Sequence, residues 1–139
     1  MITLSAADVM SAPVETVTAS TTLRTVAERM TETGVGSVVV TNEADEPTGI
    51  VTRTDLVAAI AADDVSTSDP ISRYVGGSLE TVRRDTDLQD VAARMREAGI
   101  KHLPVVDEAG VLVGMVTTSD LLGYVSRAAI PRDGPPGED

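Results

Sequence analysis

The spacing of apolar positions alternates between helical and extended periods, and it does so twice along the chain. Leu23, Val26, Ala27 and Met30 fall at i, i+3, i+4 and i+7, one apolar face of a helix whose other face carries Arg24, Glu28, Arg29 and Glu32. Gly34, just past the last of these, suits a helix C-terminus. Residues 37–41 (SVVVT) are too short and too β-branched for a helix and predict a strand buried on both faces. The polar run 42–48, with Pro47, predicts a turn. Ile50 and Val51 predict a second short strand, and residues 56–62 a short Ala-rich helix. Ahead of all these, residues 8–18 form a lead-in segment that Pro13 keeps from being one continuous helix, with weak strand character beyond it. One unit therefore reads β-α-β-β-α.

The same order then repeats. A shift of 65 positions carries Gly49-Ile50-Val51-Thr52-Arg53-Thr54-Asp55-Leu56 onto Gly114-Met115-Val116-Thr117-Thr118-Ser119-Asp120-Leu121. Leu88, Val91, Ala92 and Met95 repeat the helix face, and Gly99 closes it. Thr86 with Gln89 suggests a capping box that the first copy lacks, because Arg24 stands where Gln89 does. Residues 103–106 predict the buried strand, 107–110 the hairpin turn, 111–116 the second strand, and a closing helix runs through Leu121 and Leu122. The units are taken as residues 8–62 and 74–127, with a polar connector at 63–73 and a Pro- and Gly-rich tail, 128–139, expected to be disordered. One unit alone has too few large apolar residues for a stable core. The expected fold is therefore α/β, two repeats packed sheet to sheet with pseudo-twofold symmetry, leaving two similar clefts between the halves for a ligand.

Composition narrows the partners. The chain of 139 residues is 42% hydrophobic but only 1% aromatic, with no Phe or Trp, so its core is aliphatic and it lacks stacking platforms for single-stranded nucleic acid. A net charge of −11 repels nucleic acid and anionic membranes alike. One Lys against ten Arg and 22 acidic residues resembles the composition of a halophilic proteome, and in molar salt a Debye length of roughly 3 Å would screen the self-repulsion. An ordinary acidic cytosolic protein is the other reading. Without Cys there are no disulfides, thiolate metal sites or Cys nucleophiles. The chain starts without a charged leader and has no run of 18 apolar residues, so a soluble, cytoplasmic protein is expected. HExxH, GxGxxG and P-loop patterns are absent, and His102 has no nucleophile elbow beside it. No enzymatic activity is expected.

The chemistry rests on Thr-x-x-Asp, at Thr52 and Asp55 and again at Thr117 and Asp120. A carboxylate only accepts hydrogen bonds and can take both hydroxyls of a vicinal diol, while a helix N-terminus offers free N–H groups to phosphate. The same four-residue pattern also fits a capping box with no ligand at all.

Taken together, Val9-Met10 with Pro13-Val14, the Leu-x-x-Val-Ala helix faces, His102-Leu103-Pro104-Val105-Val106-Asp107 and the doubled Gly-x-Val-Thr-x-x-Asp-Leu resemble a tandem pair of CBS domains (cystathionine-β-synthase-type repeats, or a Bateman module) over roughly residues 8–127. The resemblance implies a non-catalytic regulatory module that binds AMP, ADP, ATP or S-adenosylmethionine between the repeats and dimerises into a disc. It implies that Asp55 and Asp120 accept the ribose hydroxyls and that Thr52 and Thr117 contact ribose or phosphate. It puts Val35, Gly36 and Ser37, and Ile100, Lys101 and His102, around the adenine, with side chains there reaching the phosphates held by the other repeat. Lys101 and His102, the chain's only Lys and only His, would then serve the Asp55 site together with Arg53. The Asp120 site would face Gly36 and Ser37, with Thr118 in place of Arg53. Di- or triphosphates are thus expected at Asp55, and AMP, a less charged adenosyl ligand or nothing at Asp120. Val35 and Ile100 also fit plain core positions, and Lys101 with His102 a solvated pair at a helix end. The competing function is a dimerisation or scaffold module with degenerate sites, its interface on residues 56–62 and 121–124. The regulated protein is unknown.

Overall fold

Three consecutive valines, Val38, Val39 and Val40, are at most 2% exposed. Side chains alternate along a strand, so a run like this needs cover on both faces, and the fold supplies it. The computed structural model describes residues 3–76 and 78–129. In order they form α1 (Ala6–Val9), β1 (Thr16–Val17), α2 (Leu23–Thr33), β2 (Ser37–Thr41), β3 (Pro47–Thr52), α3 (Arg53–Ala61), a 3-10 turn (Ile71–Tyr74), β4 (Val82–Arg83), α4 (Leu88–Ala98), β5 (His102–Val106), β6 (Leu112–Thr117) and α5 (Thr118–Ala129). These make the expected α/β architecture, with two three-stranded sheets, β1-β2-β3 and β4-β5-β6. In each, a short parallel strand flanks an antiparallel hairpin, and Val39 pairs with Ile50 as Pro104 pairs with Met115.

Val38 and Val40 join Leu23, Val26, Met30 and Val51 in one apolar cluster. Leu103 and Val105 join Val91, Met95 and Val116 in another. What completes each cluster is a segment from the other unit. Ile71, with Tyr74 and Val75, closes the first cluster, whereas Ala6, with Val9 and Met10, closes the second. Ala6 and Ile71 are both 0% exposed and 65 positions apart, so the exchange is reciprocal. Neither half buries its core without the other's lead-in segment. The units also meet at the hairpin tips, where Leu112 N–H donates to the Asp45 carbonyl at 3.0 Å.

Several element ends differ from the expected ones, for identifiable reasons. α3 starts at Arg53, not Leu56, because the Thr52–Asp55 capping box adds a polar first turn that apolar periodicity does not register. β3 starts at Pro47, inside the expected turn, since the first residue of an edge strand needs no ladder N–H. The lead-in opens with the short helix α1. The capping box expected of Thr86 and Gln89 does not form. Asp87 is the N-cap of α4 and makes no side-chain cap bond, whereas Thr22, one turn-position later than the pairing assumed, accepts from Thr25 N–H at 3.2 Å to cap α2. Residues 128 and 129 of the expected tail belong to α5, and 130–139 lie outside the described residues.

The connector is tied down rather than loose. Tyr74 O–H donates to Asp69 at 2.5 Å and Arg73 pairs with both Asp69 and Asp64.

One device ties α2 and α4 to the chain at the short parallel strand of each unit. Arg29 donates Nη1–H to the Thr16 carbonyl and Arg94 does the same to Thr81, both at 2.9 Å. Arg29 is half-buried and Arg94 exposed. Arg29→Met is therefore expected to lower unfolding stability by about 1–2 kcal/mol, and Arg94→Met by less. Urea midpoints at fixed salt test this, and indistinguishable losses would deny the clamp any weight.

Candidate functional site

The N-terminus of α3 is built by its own sequence. Thr52 stands in extended backbone as N-cap, its Oγ1 accepting from Asp55 N–H at 3.2 Å, while Asp55 Oδ2 accepts from Thr52 N–H at 2.8 Å. The second copy repeats this at α5, with Asp120 N–H donating to Thr117 Oγ1 at 3.1 Å and Thr117 N–H to Asp120 Oδ2 at 2.9 Å. The capping role is thus real at both motifs. It uses one oxygen of each carboxylate and leaves the other for something else.

The strand that precedes each helix is pinned in the same way. Arg53 N–H donates to the Gly36 carbonyl at 2.9 Å and Thr118 N–H to the Lys101 carbonyl at 3.0 Å. The Arg53 guanidinium turns back onto the Val35 carbonyl at 3.2 Å. Across from it comes His102 of the other unit, whose Nε2 lies 3.5 Å from where a Cβ on Gly36 would stand. Gly36, Thr52, Arg53, Thr54, Val57 and His102 line one cavity of about 420 Å³, within the usual range for a small-molecule site.

Four of the residues singled out in the sequence therefore meet across the two units, and Thr54 and Val57 join them. Those two carry no signal of their own in the sequence, being one polar and one apolar position in a helix. Asp55 lies exposed three residues into the same helix, and Lys101 is exposed beside His102. Ser37 is buried, and Val35 and Ile100 are half-buried against the two apolar clusters. Val35 and Ile100 thus serve as core whatever else they do. At the second motif, Asp120 is half-buried and Ser11 donates its hydroxyl to Asp120 Oδ1 at 3.1 Å.

Burial foremost, then the charges of Lys101 and Arg53, hold the His102 imidazole below its ordinary value of 6.5. His102 is consequently mostly neutral near pH 7, and Arg53 is the basic side chain that lines this cavity, with exposed Lys101 next to His102. Among the described residues no cluster of His, Asp or Glu could hold a metal ion, and no helix is long and apolar enough to cross a membrane.

The CBS domain model matches twice, over residues 6–62 and 62–127. The chain belongs to the CBS-domain family. Among relatives of this CBS pair, an uncharacterized protein of Methanopyrus kandleri is 39% identical over 98 residues, covering 70% of this chain and 50% of that protein. The chain spans only half the length of that relative. Among solved structures, the CBS pair of protein MJ0100, in complex with 5′-methylthioadenosine and S-adenosylmethionine, superposes with a TM-score of 0.83 at 22% identity, covering 91% of this chain and 99% of that one. A CBS domain protein of Pyrobaculum aerophilum complexed with AMP gives 0.79 at 24% identity, with 88% and 99% covered. Both share the fold.

Proposed function

We propose that this CBS pair is a non-catalytic, regulatory module that senses adenosine-containing nucleotides (AMP, ADP, ATP or S-adenosylmethionine) in clefts between its units, residues 8–62 and 74–127, and passes the state to a partner protein. The observation that carries this reading is the convergence of Gly36, Thr52, Arg53 and His102, drawn from both halves, on one cavity at the N-terminus of α3. Ligands of that class occupy the CBS pairs of MJ0100 and of the P. aerophilum protein. Asp55 takes the ribose diol with the oxygen its cap leaves over, Thr52 lies at the phosphate end, and Arg53 with Lys101 supplies positive charge in a chain of net charge −11. Asp120 and Thr117 form the second, less charged cleft.

Calorimetric titration of AMP, ATP and S-adenosylmethionine into the full chain tests the proposal. Molar potassium chloride suits the acidic, lysine-poor surface. Saturable binding of at least one is expected, and binding of none removes the sensor reading. A dimerisation module is the second reading, favoured by the exposed Val57, Ile60 and Leu122 (60%, 63% and 60%) on α3 and α5. Light scattering that shows a ligand-independent dimer, with no nucleotide bound, would select it.

The neutral His102 gives this cleft a pH dependence with a defined sign. A phosphate beside the imidazole stabilises its charged form and raises its pKa, so binding takes up a proton and tightens as pH falls from 8 to 6.5. The expected gain is about threefold to tenfold for ATP over that window, absent in His102→Asn. A flat profile in the wild type removes His102 from the phosphate site.

A further inference from the structure

The two clefts are built from matching segments, and among their differences one touches the carboxylate directly. Ser11 is held against β6 by two backbone bonds, its N–H donating to the Met115 carbonyl at 2.8 Å and its carbonyl accepting from Met115 N–H at 3.0 Å. That pairing aims the hydroxyl at Asp120 Oδ1, 3.1 Å away, although 109 residues separate the two in sequence. The other oxygen, Oδ2, already accepts from Thr117 N–H. Both oxygens of Asp120 therefore have donors within the protein itself. At the position 65 residues after Ser11 stands Gly76, which has no hydroxyl to offer. The residue before each is seated alike, with Val75 against Gly49 as Met10 is against Gly114. Asp55 is accordingly exposed where Asp120 is half-buried, and among the described residues its Oδ2 alone is engaged, by Thr52 N–H.

We infer that the Ser11 hydroxyl is a built-in competitor for the Asp120 carboxylate and biases ligand binding toward the Asp55 cleft. The inference rests on the reading of both carboxylates as ribose acceptors. A ribose hydroxyl arriving at Asp55 displaces only solvent from an exposed oxygen and makes a charge-assisted bond. One arriving at Asp120 exchanges with a hydroxyl of the same kind, so most of that gain is lost. The bias is independent of charge, since it acts on the ribose and not on the phosphates, and it applies to AMP and ATP alike.

The experiment is calorimetric titration of AMP and of ATP into the full chain as wild type, Ser11→Ala and Gly76→Ser, with Asp55→Ala and Asp120→Ala backgrounds assigning each isotherm to its cleft. A Cβ at Gly76 has no atom within 4 Å, so the added serine is sterically admitted and gives an arm that does not disturb the Ser11 segment. The wild type is expected to fill the Asp55 cleft first. Ser11→Ala should tighten the Asp120 cleft by about tenfold and leave the Asp55 cleft unchanged, while Gly76→Ser weakens the Asp55 cleft by about the same factor. If nucleotide binds at Asp55 yet neither variant moves its cleft, the competitor role fails and the sensor stands. Absence of binding in wild type and Ser11→Ala alike sinks both.

Discussion

Asp55→Ala is expected to weaken nucleotide binding at its cleft by about 10- to 100-fold, the loss of a charged hydrogen-bond acceptor of roughly 1.5–3 kcal/mol. The same change removes the acceptor that Asp55 Oδ2 provides to Thr52 N–H and so uncaps α3, which costs about 1 kcal/mol of stability. The two effects are separable because they use different oxygens and different readouts. Asp55→Asn retains one carbonyl oxygen for the cap, so it restores much of the stability and little of the binding, having lost the charge and gained a donor pointed at the ribose. Calorimetry on variants shown by circular dichroism to be folded reads the first effect, and thermal unfolding without ligand reads the second. A variant that loses stability but binds as the wild type does would show that Thr-x-x-Asp acts only as a helix cap.

Gly114→Ala is expected to destabilise the protein by about 1–3 kcal/mol through overpacking. A Cβ at that position meets Met10 along its whole side chain, with Cγ at 2.8 Å and Cβ at 3.2 Å and the sulfur closer still. Rotating the thioether end cannot relieve a contact with Met10 Cβ. The segment itself must move, and it is the one whose Ala6 completes the second apolar cluster and whose Ser11 pairs with Met115. The matching change in the first unit should cost less. At Gly49 the clash is with one Val75 methyl, whose Cβ stands at 3.4 Å, so relief takes a change of the valine rotamer and not a shift of its backbone. Urea unfolding at fixed molar salt compares the pair. A Gly49→Ala loss as large as that of Gly114→Ala would contradict the ranking.

The second prediction depends on a contact between a lead-in segment and the opposite unit, which no local pattern announces. The helix faces at Leu23, Val26 and Met30 and at Leu88, Val91 and Met95, and the buried strands expected at 37–41 and 103–106, are legible because burial imposes a helical period of 3.6 or a run of β-branched apolar residues on the sequence itself. The 65-residue repeat was legible because two copies of one unit must reuse the same pattern. Thr52-x-x-Asp55 and its copy were legible as a helix start with a carboxylate to spare, since a cap is a four-residue affair. The start of α3 at Arg53 carries no periodic mark, because Arg53, Thr54 and Asp55 are exposed. Pro47 reads as a turn residue in the sequence, whereas it opens an edge strand, where its missing N–H costs no ladder bond.

The residues alone determined that this chain is a doubled α/β unit with two capped, carboxylate-bearing helix N-termini, because those properties are local or periodic and short-range physics writes them into neighbouring positions. Only the tertiary structure decided that Ala6 and Ile71 fill each other's units, that His102 crosses to Thr52 and Arg53, and that Ser11 occupies Asp120 while Gly76 leaves Asp55 open. His102 lies 49 and 50 positions from Arg53 and Thr52, and Ser11 lies 109 from Asp120, spacings that no helical or strand period connects. Such contacts arise when two incomplete cores are closed against one another, and that closure is a property of the assembled pair, not of any stretch of chain.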